Sequence, residues 1–226
     1  EAGLPNGVFR SLMIPAGRVN RVIEDKRIHA VTLTGSEPAG RSVPAAAGAQ
    51  IKKTVLELGG SDPFVVLEDA DLDLAVKNAV ASRFLNTGQS CIAAKRFIPV
   101  ASIADAFVAR FKAAVEELRH GDPLLETTTL APMARIDLRD ELHQQVIDSI
   151  LKGAVAVTGC RPIAGEGAYY EASILDHVVP GTRAYHEEFF GPVAIVIRAQ
   201  DEADAVRIAR FRSSDRRIAQ TDPSTI

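Results

Sequence analysis

Apolar positions along this chain recur with two periods, and the two alternate. Val31-Thr32-Leu33, Thr54-Val55-Leu56, Phe64-Val65-Val66-Leu67 and Ala154-Val155-Ala156-Val157 are short apolar or β-branched runs, which read as strands. Between them, apolar residues return at helical spacing. Leu72, Val76, Val80 and Phe84, with Ala75 and Ala79 beside them, make one stripe, with Asp71 as N-cap and Gly88 as the end. Ser102 and Asp105 resemble a capping box for a helix over Ile103 to Leu118, with Phe107, Phe111 and Val115 on one face and Gly121 closing it. Leu138, Leu142, Val146 and Ile150 repeat the pattern over Asp137 to Leu151, before Gly153. Strands alternating with helices predict an α/β fold with parallel sheets. The first two strands bracket a helix beginning at Ser36, and Thr54-Val55-Leu56 reads as buried. Pro44 falls inside that helix, where a proline removes a hydrogen bond and costs ~3 kcal/mol, so a short or kinked helix is expected. A boundary is expected near Leu58, dividing residues 1–58 from 59–226.

Two glycine-marked loops carry candidate chemistry, Glu57-Leu58-Gly59-Gly60 and Gly88-Gln89-Ser90-Cys91. A nucleophilic cysteine must be partly thiolate, which requires a partly open, electropositive setting such as a loop or helix terminus. Cys91 follows a helix in a Gly-Gln-Ser turn whose amides suit a developing oxyanion. Ile92-Ala93-Ala94 then turns apolar, setting Cys91 between a solvated loop and a buried element. The plainer reading is a small core cysteine. Glu57 follows its strand directly, at the kind of strand end where open α/β sheets keep their chemistry. A general base for activating water fits there, and so does a solvated surface carboxylate. The expected boundary places Glu57 and Cys91 on opposite sides of a cleft between domains.

Glu57-Leu58-Gly59-Gly60, Asn86-Thr87-Gly88-Gln89-Ser90-Cys91 and Glu187-Glu188-Phe189-Phe190-Gly191-Pro192 resemble the three signature stretches of the NAD(P)-dependent aldehyde dehydrogenases, in the family's order. Leu33-Thr34-Gly35-Ser36 resembles its nicotinamide turn. The likeness runs from residue 1 to about Ala209. Ser36-Glu37-Pro38-Ala39-Gly40, Gly60-Ser61-Asp62-Pro63 and the stretch from Asp137 to His143 look most like the succinate-semialdehyde branch. The resemblance implies a three-layer α/β fold, with the C-terminal part of a dinucleotide-binding domain in residues 1–58. Residues 59–226 would be most of a parallel-sheet catalytic domain, truncated at its C-terminus.

It also implies roles. Cys91 resembles the nucleophile that adds to an aldehyde, with its own amide as half of the oxyanion hole. Glu57 resembles the base that activates water against the resulting thioester. Gly35 and Ser36, at a helix start suited to an anion, resemble the pyrophosphate contacts. Leu58 belongs to the same implied cofactor set. Glu188 resembles the carboxylate that holds the nicotinamide ribose, and Phe190 the ring packed near it. Asn86 matches the motif without an assigned step. NAD or NADP is the implied cofactor, a small aldehyde the substrate, and a homo-oligomer the state of the complete subunit. In known succinate-semialdehyde enzymes an arginine six residues before the nucleophile holds the substrate carboxylate. Here that position is Leu85, and Arg83 is expected to point elsewhere.

Length changes the expectation. With 226 residues the chain is about half a family subunit, enough for one or two domains of ~100–200 residues. It is therefore read as a piece, expected to be inactive alone and to associate through apolar surface left uncovered. After Ala209 the likeness fades into the basic stretch from Arg210 to Arg217, returning at Thr221-Asp222-Pro223. A frame change or sequencing fault is one explanation, and a solvated charge run the other. A net charge of −3 with scattered basic residues gives no sign of nucleic acid. No apolar run of about 18 residues suggests a membrane span. His29, His120, His143, His177 and His186 lack ligand spacing, so no metal is assigned. The two cysteines, Cys91 and Cys160, suggest no disulfide framework and suit the cytoplasm; Cys160 is read as structural. Two other functions stay open: a cofactor-independent thiol esterase, and a non-catalytic nucleotide-binding remnant.

Overall fold

The computed structural model describes residues 3–210. The chain divides into two compact units, Glu1–Gly59 and Gly60–Ile226.

In the first unit, α1 (Val19–Glu24), β1 (Ala30–Gly35), α2 (Glu37–Ala49) and β2 (Lys53–Leu58) follow one another. β1 and β2 pair in parallel from Ala30↔Lys53 to Gly35↔Leu58. Val31 and Leu33 lie on one face of β1 and pack with Ile23, Val43 and Ala47 from the helices. Gly40 lets α2 close on the sheet, because a Cβ there would come within 2.7 Å of the Leu58 methyls. The Lys52 ammonium donates to the carbonyls of Ile23 and Asp25, placing a cation at the C-terminal end of α1.

Two expectations are corrected in this unit. β2 is not buried, since Val55 is 49% and Leu56 37% exposed. The sheet has two strands, and its small apolar cluster covers the Val31 and Leu33 face. Of the short or kinked helix expected around Pro44, the short alternative is overturned: α2 runs thirteen residues through Pro44. Proline deletes one intrahelical donor, and Val43 and Ala47, buried on either side of it, supply packing that offsets the loss.

The second unit is built on β3 (Asp62–Val66), α3 (Leu72–Phe84), β4 (Ala94–Pro99), α4 (Ala101–Glu116), α5 (Ile136–Leu151), β5 (Val155–Thr158), β6 (Ser173–Asp176), α6 (Arg183–His186), β7 (Val193–Val196) and α7 (Glu202–Arg210). Its sheet has the order β3-β4-β7-β6-β5. β3, β4, β7 and β6 are parallel neighbours, while β5 runs antiparallel to β6, so the sheet is mixed rather than purely parallel. Alternation along the strands feeds two cores, one on each face. Phe97, Ile174, Ala194 and Val196 pack with Phe107 and Phe111 of α4 and Val76 and Ala79 of α3. Ile98, Leu175, Val193 and Ile195 pack with Leu142 and Val146 of α5 and Ala205 and Ile208 of α7. Helix, sheet and helix thus form three layers.

Asp71 caps α3, its carboxylate accepting from the amides of Asp73 and Leu74. The α4 capping box does not form. Val100 is the N-cap, Ser102 lies within the helix, and Asp105 pairs with Arg198 at 2.6 Å. A long-range partner of opposite charge outcompetes the local cap. Cys160 is buried at a φ of +64°, and burial pushes its thiol up to about 12, as suits a structural cysteine. No helix among the described residues is long and apolar enough to cross a membrane. The stretch from Phe211 through Thr221-Asp222-Pro223 lies outside the described residues.

Candidate active site

Cys91 is exposed, on the loop between α3 and β4. The way this loop is built differs from the sequence expectation. α3 ends at Phe84 rather than at Gly88, and Asn86, Thr87 and Gly88 then take left-handed backbone with φ of 51°, 55° and 72°. Non-glycine residues rarely adopt that region unless surrounding bonds hold them. Here the Asn86 amide donates to the carbonyl of Gln89 at 2.9 Å, and the Thr87 hydroxyl to that of Ala131 at 3.0 Å. The Gln89 side chain accepts from the amide of Ala134 at 3.0 Å. Gly88 has a second reason to be glycine: a Cβ there would collide with the carbonyl of Gly191 and the guanidinium of Arg83.

Arg83 is wholly buried and clamps this loop to the chain around Phe189. Its guanidinium donates to Ala94 at 3.1 Å, Gly88 at 2.7 Å, Phe189 at 3.4 Å and Gly191, in every case to the backbone carbonyl. Burial pulls its pKa down to about 10, with Glu188 opposing. Arg83 therefore points into the interior, on a different side of the helix end from Leu85, which is 63% exposed.

Lys95 makes a second clamp. Its side chain is fully buried, and its ammonium donates to the carbonyls of Ser90 and Cys91 at 3.0 Å and of Ala93 at 3.3 Å. It also pairs with Glu188 Oε1 at 3.0 Å. Burial lowers the Lys95 pKa and Glu188 opposes the shift. The backbone at Cys91 is thus fixed by a cation that also holds Glu188. Arg96 points the other way, donating to Ser61 at 2.8 Å and to Ile208 and Ala209 at the end of α7.

The acidic pair in the Glu187-Glu188 stretch divides its work. Glu187 is bound to Arg183 at 2.8 Å and Gln145 at 3.0 Å, a local structural tie. Glu188 keeps a quarter of its side chain exposed beside Lys95. Phe189 is buried and Phe190 is 42% exposed. The sequence reading singled out Cys91, Glu188 and Phe190, and the structure links Cys91 to Glu188 through Lys95. It missed Arg83 and Lys95 as tying groups. Lys95 and Arg96 interrupt the otherwise apolar buried run from Ala93 to Val100, and that interruption was the available signal.

In the first unit, Glu57 is an exposed residue inside β2, opposite Thr34. Gly35 ends β1 opposite Leu58, and Ser36 is the N-cap of α2, with no side-chain capping bond.

A model of the aldehyde dehydrogenase family matches residues 1–210. The chain belongs to that family. It is 53% identical over 209 residues to the succinate semialdehyde dehydrogenase [NAD(P)+] Sad of Escherichia coli strain K12, a match that covers 92% of this chain and 45% of that protein. The structure of succinate-semialdehyde dehydrogenase from Burkholderia pseudomallei superposes with a TM-score of 0.88 at 33% identity, covering 93% of this chain and 44% of the other. The Streptococcus pyogenes succinic semialdehyde dehydrogenase, solved with NADP+, gives 0.85 at 35% identity, covering 89% and 44%. Among aldehyde dehydrogenases, then, the chain spans about half the length of the relatives it matches. These likenesses establish the three-layer α/β fold.

Proposed function

We propose that this chain carries the thiol chemistry of an NAD(P)+-dependent aldehyde oxidation, with succinate semialdehyde as the substrate class. The observation that carries the reading is Cys91, exposed on a loop whose carbonyls share the Lys95 ammonium with Glu188. In the first unit, Gly35, Ser36 and Leu58 are assigned to the cofactor and Glu57 to water activation. In the second, Glu188 and Phe190 are assigned to the ribose and nicotinamide. Residues 1–58 then belong to a cofactor-binding domain and 59–226 to the thiol domain.

The residues present fit a dinucleotide. Ser36 stands at the N-terminus of a thirteen-residue helix with its hydroxyl unused as a cap, a setting that favours an anion. Glu188 retains exposed carboxylate, and Phe190 presents an exposed ring. Cys91 sulfur attacks the aldehyde carbon, forming a C–S bond while the carbonyl pair moves to oxygen. A bound NAD+ or NADP+ supplies the acceptor for the hydride that leaves this carbon. Glu57 takes a proton from water, whose oxygen attacks the thioester carbon, and Cys91 departs as thiolate. The acid is released.

The activity for which these relatives are named supports the substrate class, and Leu85 leaves recognition of the carboxylate to residues elsewhere. Two free cysteines among the described residues suit a reducing cytoplasm, and homo-oligomerisation is proposed by likeness to the family. The test is formation of reduced nicotinamide with an aldehyde panel, beside Cys91→Ala, in this chain and in one completed to its relatives' length. Reduction lost in Cys91→Ala and fastest with succinate semialdehyde is expected. For the chain alone, little or none is expected. Propanal turned over equally well overturns the substrate class, and ester cleavage by Cys91 that ignores nicotinamide favours a thiol hydrolase.

A further inference from the structure

We propose that Lys95 is a positioning residue that couples the Glu188 carboxylate to the Cys91 nucleophile, so that the charge at Glu188 sets how fast the thiol reacts. This rests on the reading of Cys91 as the nucleophile. An ammonium has three N–H donors. Lys95 has oxygens of Ser90, Cys91, Ala93 and Glu188 within 3.3 Å, one more than it can serve at once. The three carbonyls take those donors, and Glu188 Oε1, buried 3.0 Å from the ammonium, is left without a hydrogen-bond partner, so Glu188 acts on Lys95 as an ion-pair partner.

The charges facing Lys95 are Glu188, Arg83 and Asp62. Arg83 is committed to backbone carbonyls, so Glu188 is the counter-ion in direct contact. A cation whose side chain is fully buried is poorly screened and acts strongly on its neighbours. With Glu188 neutral, the Lys95 charge beside the Cys91 backbone is uncompensated and favours the negative charge that develops on sulfur during attack. With Lys95 removed, Glu188 loses its contact counter-ion and its charge opposes that development, while Arg83 remains in both variants. The two substitutions must act with opposite sign, whereas loosening of a structural tie moves both the same way.

The experiment is carbamidomethylation of the 226-residue chain by iodoacetamide at neutral pH, with the Cys91 and Cys160 peptides quantified by mass spectrometry. Lys95→Met is expected to slow Cys91 modification about three- to tenfold, and Glu188→Gln to speed it by a similar factor. The double variant is expected within about twofold of the parent. Buried Cys160 reports folding, remaining unmodified in an intact second unit. If Lys95→Met exposes Cys160, Glu188→Gln alone decides: faster modification supports the coupling, and an unchanged or slower rate overturns it. Equal signs in two folded variants overturn it as well. No aldehyde or cofactor is present, so failure of the dehydrogenase reading would show separately, as absent nicotinamide reduction in the chain completed to its relatives' length.

Discussion

Replacing Arg83 by methionine tests whether the nucleophile loop is held by a buried cation. The side chain is fully buried and donates to the carbonyls of Gly88, Ala94, Phe189 and Gly191. Hydrogen bonds to a charged group contribute about 1.5–3 kcal/mol each, so the set is worth on the order of 6–12 kcal/mol before costs. Against this stands the burial of the guanidinium. A pKa pulled from 12.5 to about 10 corresponds to a net penalty on the charged form of about 3 kcal/mol, burial outweighing the opposing attraction of Glu188. Gly191 keeps a second donor, the amide of Val193 at 2.8 Å, so its loss is partial. The bonds win, and Arg83→Met is expected to destabilise the second unit by about 3–5 kcal/mol, the range for breaking a buried charged contact. For a unit of this size that is a fall in Tm of about 6–20 °C. Calorimetry gives the shift, and hydrogen exchange gives its location, with protection lost first over residues 86–94 and 188–193. Arg110→Met, which removes an exposed ion pair with Asp73, is the control and should move Tm by less than about 3 °C. An Arg83 variant no less stable than that control refutes the clamp.

Further outcomes follow from the same geometry. Gly88→Ala must place a Cβ against Gly191 and Arg83 at a φ of +72°, and is expected to cost more than about 3 kcal/mol; Gly165→Ala, strained but in open space, should cost about 1. Thermal denaturation of the pair separates collision from backbone strain. Asp71→Ala removes a cap that accepts from two amides, and urea unfolding should show a loss of about 1 kcal/mol. The Arg183 guanidinium holds the carboxyls of Asp148 and Glu187 below their ordinary range, its hydrogen bonds being the main lowering cause. Depressed carboxylates contribute stability that is present above the unfolded pKa and lost as pH falls through the folded one, so this share should begin to fall near about pH 4 and be gone only below the depressed folded values. Arg183→Met should flatten the acid side of a stability-against-pH curve, and an unchanged slope refutes the assignment.

The parts of this molecule legible in its sequence are those set by local periodicity and local caps. The Leu72 to Phe84 stripe and its Asp71 cap use information a few residues apart, and α3 forms as read. The parallel pairing of β1 with β2 likewise follows from two apolar runs separated by one helix. Where the reading failed, a distant partner overrode a local signal. Asp105 has capping-box spacing, but Arg198, 93 residues away, takes its carboxylate. Asn86 and Thr87 look like a helical continuation to a glycine stop, and become left-handed because Ala131 and the Gly191 backbone fix the loop from outside.

Arg83 and Lys95 show most clearly why a site motif names its atoms better than its supports. Their partners are backbone carbonyls, which every residue type offers, so no complementary side chain in the sequence advertises the contact. Only the cost of burying a charge is visible beforehand, and only for Lys95, set with Arg96 in the apolar run from Ala93 to Val100. That cost demands a compensating set of acceptors. The carbonyls of Gly88, Ser90 and Cys91, on the loop that carries the candidate nucleophile, and of Gly191, in the stretch that carries Glu188, supply it. Such loops lack regular ladder partners for their carbonyls, which makes them natural acceptors for a buried cation. The irregular backbone that exposes Cys91 and the buried cations that hold it are therefore two sides of one requirement.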